Sequence, residues 1–387
     1  MAEAHSNTQN AHSALDTDTT FEVVIGDDRT ATVSGAITCD NVDEVTAAAK
    51  RSDVAQLDFC GVEIIQLAAM RALLSARAAG AEFCIVNASE RVSRQLSEAG
   101  VDGFISVLRA PDEYDITTAE EFGGGYTAKS YWSADGDAMI KLYEPFVPAA
   151  EAQREMHYAR GVLALGIPTP LAGGLIRVGD RNGVIFEKVK GKKSLSRLIA
   201  DDPANIRTYV LELVKMAKRL HATPCDKAVF PSQIARLRTI AAQLDCFTSE
   251  QRAAIERAID AIEPEEVCCH GDFHIGNVIL TPAGDALLID LPDFCYGNHL
   301  MDLGALYFAC HYLNDAMADD LYHVSTETMA QVWDIFAEEY FDARTPDELA
   351  ALDATMRPYA ALQALPWCLH GVNENLMDVL EANLFSA

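Results

Sequence analysis

Apolar positions along the chain change period several times, and the changes divide it into segments. From Phe21 to Gly35, "FEVVIGDDRTATVSG" alternates as two strands joined by a Gly-Asp-Asp turn. "CDNVDEVTAAAKR" moves to a helical repeat, with Asp40 or Asn41 as its predicted cap. "VAQLDF" predicts a short buried strand, and "LAAMRALLSARAAG" an amphipathic helix closed by Gly80. "EFCIVN" predicts another strand, and "SERVSRQLSEAG" a helix from a Ser89 cap to Gly100. This alternation of strands and helices predicts a small α/β domain over residues 21–108. Ahead of it, residues 1–20 are polar and lack an apolar signal-peptide core, so they read as a disordered tail. After it, "RAPDEYDITTAEE" is polar, acidic and nearly without period, and reads as a linker over 109–121.

A second run of short strands begins at Phe122, next to three glycines, Gly123, Gly124 and Gly125. "KSYWS" and "AMIKLY" flank a turn at Ala134-Asp135-Gly136-Asp137. A helix is predicted from Pro148 to Leu165, stopped by Gly166, Pro168 and Pro170. "VIFEKVKGKKSL" is a strand leading into a glycine turn, and from Ser194 onward the pattern is mostly helical.

One stretch interrupts the helices: "CHGDFHIGNVILTPAGDALLIDLPD", Cys269 to Asp293. Its "VIL" and "LLID" are strand-like runs about a Pro-Ala-Gly loop, so a hairpin folded about Ala283-Gly284 is predicted. The fold brings Asn277 and Asp290 to its open end, with Asp272 in the loop that feeds the first strand. An Asn carbonyl and a carboxylate can hold Mg²⁺, a hard ion that shares its oxygen ligands with substrate phosphates. A further carboxylate can take the proton of an attacking hydroxyl. Four residues separate Asp272 from Asn277, the spacing of the Asp and Asn in protein-kinase catalytic loops. Three explanations compete: a phosphoryl-transfer site, a metallohydrolase site and a surface hairpin. His270 and His274 are four apart, but Gly271 and the following strand argue against a zinc-binding helix and a third ligand is not evident. Asp272-Phe273-His274 and Gly297-Asn298-His299 match pieces of a metallophosphoesterase. The intervening Gly-Asp-x-x-Asp and the downstream Gly-His-x-His of that class are missing, which leaves it a remote alternative.

Composition narrows the choice. A chain of 387 residues, half of them hydrophobic, predicts two or three globular domains. A formal net charge of −28 argues against nucleic acid and is compatible with a cationic substrate. No apolar run is long enough to cross a bilayer, so no membrane association is predicted. Ten cysteines without a CxxC fit a reducing compartment, and the predicted location is the cytoplasm.

"HGDFHIGN" followed by "LLIDLPD" resembles the aminoglycoside phosphotransferase and choline kinase family, whose fold is protein-kinase-like, with a small β-rich N-lobe and a mostly helical C-lobe. "FGGGYTAKSYW" is similar to that family's glycine loop, and "MDLGAL" supplies a matching Asp302. The resemblance runs from Phe122 to the C-terminus, with lobes over 122–190 and 191–387. It implies a phosphotransferase that moves the γ-phosphoryl group of ATP or GTP, with Mg²⁺, to a hydroxyl of a small molecule. Asp272 is then the catalytic base, with His270 holding its loop. Asn277 and Asp290 hold Mg²⁺, Lys141 steadies the phosphates and Glu155 positions Lys141. Gly123, Gly124 and Gly125 cover the phosphates, Glu187 and Val189 border the base, and Asp302 braces the catalytic loop. Asp293, Trp367 and Glu374 are candidates for the acceptor site. Asp290 is followed by Leu-Pro rather than Phe-Gly, which favours a small-molecule kinase over a regulated protein kinase.

The α/β segment is similar to STAS domains (sulfate transporter and anti-sigma factor antagonist). Where regulatory members carry a phosphorylated Ser or Thr, this chain has Leu67 and Ala68. The resemblance implies a docking module for a protein partner or for self-association. The rival function is accordingly a regulatory protein that binds nucleotide without catalysis and docks a partner, and a protein kinase is a further option.

Overall fold

The computed structural model describes residues 20–385 except 27–28, 125–126, 370 and 372. The tail read over 1–20 therefore lies outside the described residues but for its last position, as does the tip of the first hairpin. The chain divides into two compact units, Met1–Tyr114 with Leu175–Arg177, and Asp115–Gly174 with Val178–Ala387.

The first unit contains β1 (Glu22–Ile25), β2 (Thr30–Ile37), α1 (Val42–Ala49), β3 (Gln56–Ile65), α2 (Leu67–Ala78), β4 (Cys84–Ala88), α3 (Glu90–Glu98), β5 (Val107–Arg109) and the two-residue β6 (Asp112–Glu113). Its sheet runs β1-β2-β3-β4-β5. β1 and β2 pair antiparallel and the later neighbours pair parallel, as chain returns through helices require. Alternation along β2 buries Ala31, Val33 and Ile37 against α1 and α2 residues such as Val45 and Leu73. Ser89 caps α3, accepting from the Val92 N–H. Asn41 does not cap α1. Its Oδ1 accepts from the Thr38 N–H and its Nδ2 donates to the Ala36 carbonyl, so it closes the turn out of β2 instead. β3 is ten residues long, extending well past "LDF", and regular pairing reaches Arg109 and resumes at Asp112 and Glu120, inside the stretch read as a linker.

The second unit opens with β7 (Glu120–Gly124), β8 (Ala128–Trp132) and β9 (Ala138–Tyr143), continues through α4 (Ala149–Ala164), and completes its sheet with β10 (Ala172–Val178) and β11 (Arg181–Glu187). β7, β8, β9 and β11 form an antiparallel ladder, with β10 on the far side of β11. Phe122 stacks on Trp132, ring centroids 3.9 Å apart, which fixes β7 to β8.

The rest is mainly helical: β12 (Lys193–Ser194), α5 (Leu195–Asp201), α6 (Ile206–His221), α7 (Gln233–Gln243) and α8 (Ser249–Asp260) precede β13 (Val267–Cys269), β14 (Val278–Leu280), β15 (Ala286–Leu288) and β16 (Cys295–Gly297). Then come α9 (His299–His311), α10 (Asp315–Tyr322), α11 (Thr326–Phe341), α12 (Pro346–Cys368) and α13 (Glu374–Leu380). Every residue of α9 from Met301 to Cys310 is buried. A helix apolar on all sides belongs at the centre of a core, and α11 and α12 pack on it. This is the β-rich part followed by a helical part that the sequence predicts. Among the described residues no helix is long and apolar enough to cross a membrane.

Candidate active site

β13 ends at Cys269 and β14 begins at Val278, and the loop between them carries Asp272. Its path is set by Asp302, which is fully buried in the first turn of α9. One carboxylate oxygen accepts the His270 N–H at 2.6 Å and the other the Gly271 N–H at 2.7 Å. His221, at the end of α6, lies 3.3 Å from the same carboxylate. A buried carboxylate is costly unless its lone pairs are filled, and these contacts fill them. Gly271 has φ +87°, and a Cβ there would stand 2.3 Å from the Asp293 carbonyl oxygen, so only glycine fits.

His270 is fully buried and closes the loop across its width. Its Nε2 is 2.9 Å from the Ile289 carbonyl and its Nδ1 takes the Asp272 N–H at 3.3 Å. Donation from Nε2 and acceptance at Nδ1 define one neutral tautomer. Both nitrogens are thus used within the loop, which leaves neither for a metal.

β14 and β15 form the predicted hairpin, with Val278 opposite Leu288 and Leu280 opposite Ala286. The pairing is one residue offset from the simplest expectation. Asn277 faces Ile289, whose N–H donates to the Asn277 carbonyl at 3.0 Å, and Asp290 follows. Asp290 has φ +62°, a left-handed conformation that turns the chain at the hairpin's open end. Asn277 Nδ2 donates to the Asp272 carbonyl at 2.9 Å. That orientation leaves Asn277 Oδ1 free of any donor among the described residues.

Lys141, on β9, reaches across to this end. Its Nζ lies 2.9 Å from Glu155 on α4 and 2.7 Å from Asp290 Oδ1. Burial pulls the ammonium down, but Asp290 and Glu155 together outweigh it and hold the lysine above its ordinary value. For Glu155 burial wins. It is 2% exposed, and its carboxyl is pushed up to about 7 although Lys141 opposes the shift. The Tyr143 hydroxyl also donates to Glu155. Lys141 holds the Asp290 carboxyl below the usual range. Burial would raise Asp272, but His274 (3.3 Å) and the Asn277 amide outweigh it and bring Asp272 down to about 2. Asp272 is therefore a carboxylate at neutral pH, able to accept a proton.

Two cavities meet in this region. One, of about 310 Å³, is lined by Lys141, Glu155, Asn277 and Asp290 on one side and Phe186, Glu187 and Val189 on another. Gly124 lines it too. Gly123, beside it on β7, does not, and Gly125 lies outside the described residues. The other cavity, of about 550 Å³, holds Asp272, His274, Asp293 and Trp367 in its wall. Thr127, which sequence reading passed over, lines both cavities. Glu374 lines neither. It is an exposed residue in the first turn of α13, and neighbouring Asn373 is spent on capping that helix through the Leu376 N–H. Arg236 on α7 was also missed, and it binds Asp293 at both its carbonyl and its carboxylate. Nothing in the local sequence around Arg236 separates it from other helical arginines.

The oxygens facing the smaller cavity are of the hard type that Mg²⁺ takes, namely Asn277 Oδ1 and the Asp290 oxygen not used by Lys141. Among the described residues no group of three or more His, Cys, Asp or Glu side chains could hold a metal by itself. Two protein oxygens per ion suit an ion shared with substrate phosphates. They do not suit a closed zinc site or the dense ligand set of a metallophosphoesterase.

The family profile of the "Phosphotransferase enzyme family" matches residues 118–338, more than half of the chain. No curated protein sequence matches the chain. Among solved structures, aminoglycoside phosphotransferase APH(3'')-Id from Streptomyces rimosus ATCC10970, in complex with ADP and streptomycin, is 21% identical with a TM-score of 0.45, covering 65% of this chain and 94% of that one. An aminoglycoside-3'-phosphotransferase of type VIII is 17% identical with a TM-score of 0.42, covering 64% of this chain and 91% of that one. A thermostable mutant of aminoglycoside phosphotransferase APH(4)-Ia, in a ternary complex with ADP and hygromycin B, is 11% identical with a TM-score of 0.48, covering 69% of this chain and 90% of that one. On the profile match, which spans the glycine strand, Lys141, Glu155, the Asp272 loop, the hairpin and Asp302, this chain belongs to the phosphotransferase enzyme family.

Proposed function

We propose that the protein transfers the γ-phosphoryl group of ATP or GTP to a hydroxyl of a small molecule. The observation that carries this reading is the placement of Asp272 in the wall of one cavity and Lys141, Asn277 and Asp290 in the wall of the other, with Thr127 common to both. The nucleotide occupies the smaller cavity, with its base beside Phe186, Glu187 and Val189 and its phosphates beside Lys141. Gly124 leaves room for the phosphates. Asn277 and Asp290 would hold Mg²⁺, which supplies charge neutralisation on the phosphate oxygens. Asp272 orients the acceptor hydroxyl and receives its proton, and the low carboxylate pKa of about 2 supports the charged form this requires. His270, Asp302 and Glu155 are positioning residues, because each acts through another group.

The first unit, by its resemblance to STAS domains, is a docking or self-association module. Leu67 begins α2 where a phosphorylated hydroxyl would stand, so docking there is not switched by phosphorylation. The location is the cytoplasm, a reading supported by ten cysteines that are all free thiols. A nucleotide sensor without catalysis has no need of Asp272 in the acceptor cavity.

The test is incubation with Mg²⁺, γ-labelled ATP and a small-molecule extract, beside Asp272→Ala. Label entering a small metabolite with the wild type alone is the expected result. Equal labelling by both proteins, or label entering protein only, contradicts it.

A further inference from the structure

We infer that the acceptor is a largely apolar, uncharged alcohol rather than a polycation. This rests on the phosphotransferase reading for its chemistry, but the pocket that carries it can be tested without transfer.

The acceptor cavity has a volume of about 550 Å³, enough for a drug-sized molecule. Its wall away from the loop is built by four helices that contribute Leu237, Phe308, Leu321, Tyr322, Pro366 and Trp367. Leu321 is 43% exposed and Trp367 46% exposed, so two large apolar side chains face open space beside the reacting carboxylate. Large apolar side chains left exposed and grouped in a concave site are what an apolar ligand covers.

Charge in the wall points the same way. Polycationic acceptors need carboxylates free to pair with ammonium groups, because a buried unpaired charge is costly. Among the described residues only two carboxylates line this cavity, Asp272 and Asp293. Asp293 is already held by Arg236, which also lines the cavity, so that pair is neutral as a unit. Asp272 faces His274 at 3.3 Å and is reserved for the reacting hydroxyl. The remaining polar lining among the described residues is Thr127, Tyr322, Cys295 and two glutamines. Of these, Gln363 donates to the Met301 carbonyl at 2.7 Å, and Gln233 accepts from the Asn298 N–H at 3.2 Å. Apart from Asp272, the net charge of −28 is therefore not expressed as unpaired carboxylates among the described residues of the acceptor cavity, and a polycationic acceptor meets no carboxylate there beyond the reacting one and the Arg236-paired Asp293.

The test is calorimetric titration, without nucleotide, of two probe sets into the full chain and into Leu321→Glu/Trp367→Glu. One set is uncharged aryl and alkyl alcohols such as chloramphenicol, and the other is amino sugars such as kanamycin. The expected result is that the best uncharged alcohol binds at least tenfold more tightly than any amino sugar. The double variant, still binding ATP, then loses at least tenfold in affinity for it. Tighter binding of amino sugars overturns the inference, as does the absence of binding by every uncharged alcohol. A transfer assay on the same probes separates the two readings. Uncharged alcohols that bind in the wild type but never receive label would leave the pocket assignment standing and remove the phosphotransferase reading. Efficient transfer to amino sugars would do the reverse.

Discussion

Three residues set what the site can do, and each is constrained by a different physical device. Asp272 is kept ionised by His274 and Asn277 against the pull of burial. Its replacement by alanine is expected to lower the transfer rate by about 10²–10⁴-fold, the usual range for a general base, with ATP affinity unchanged. Single-turnover rates beside equilibrium ATP binding check both halves. Gly271 is required by its positive φ and by the Asp293 carbonyl behind it. Gly271→Ala is expected to move the Asp272 loop, with loss of activity and a lower thermal midpoint; an unchanged midpoint and rate would contradict the packing argument. Glu155 gives a pH signature. Its folded-state pKa lies near 7, above the ordinary 4.5, so ionisation is harder in the folded chain. The stabilising contribution is complete below 4.5 and is lost as pH rises through 7. Urea denaturation of the nucleotide-free protein across that window is expected to show a falling stability, and Glu155→Gln is expected to flatten the slope.

At the scale of elements, the site is a hairpin and two loops tied to helices. The hairpin was legible because "VIL" and "LLI" are short apolar runs on either side of Pro-Ala-Gly, although its register is one residue off the simplest expectation. The Asp272 loop was legible by motif, but its anchor to α9 depends on a contact spanning thirty residues or so, which only the resemblance supplied. The segment after Asp290 is pinned, since the Pro292 carbonyl accepts from Arg154 of α4 at 3.0 Å and Asp293 is bound by Arg236. A flip of this segment is opposed by both contacts. Asp302→Ala would leave the His270 and Gly271 N–H groups without acceptors. Each buried donor left unpaired costs about 1–3 kcal/mol, so the variant is expected to lose several kcal/mol in denaturant unfolding. A loss within the error of the wild type would mean that the loop does not hang from α9. The acceptor wall was the least legible part. Leu237, Phe308 and Leu321 come from α7, α9 and α10, and in the sequence each is one more apolar position in a helical repeat, whereas Trp367 of α12 was singled out by the resemblance alone. Asn41 shows the same limit in small, because a capping residue type at a helix start was used to close a turn.

On the scale of the whole molecule, the α/β alternation of the first unit and the strand-then-helix order of the second were legible from hydrophobic period, the kinase-like fold was implied only by the motif resemblance, and the charge was legible from composition. What the charge does at the site was not. A net charge of −28 repels an anionic nucleotide at long range, while Lys141 attracts it only at short range, inside the cavity. Screening removes the long-range part first. The association rate of ATP is therefore expected to rise, not fall, as ionic strength increases from about 0.01 to 0.15 M. Stopped-flow binding measures this directly, and a falling rate would show that local basic charge dominates the approach. The central claim is that the chain passes the γ-phosphoryl group of a nucleotide to a small-molecule hydroxyl at Asp272. The measurement that tests it most directly is a single-turnover chase of enzyme-bound γ-labelled ATP with a small-molecule extract, for wild type and Asp272→Ala at equal ATP occupancy. The account predicts that label leaves the wild type in a small organic phosphate and stays on ATP in the variant. Label that stays on ATP in both, or leaves both at the same rate, would contradict it.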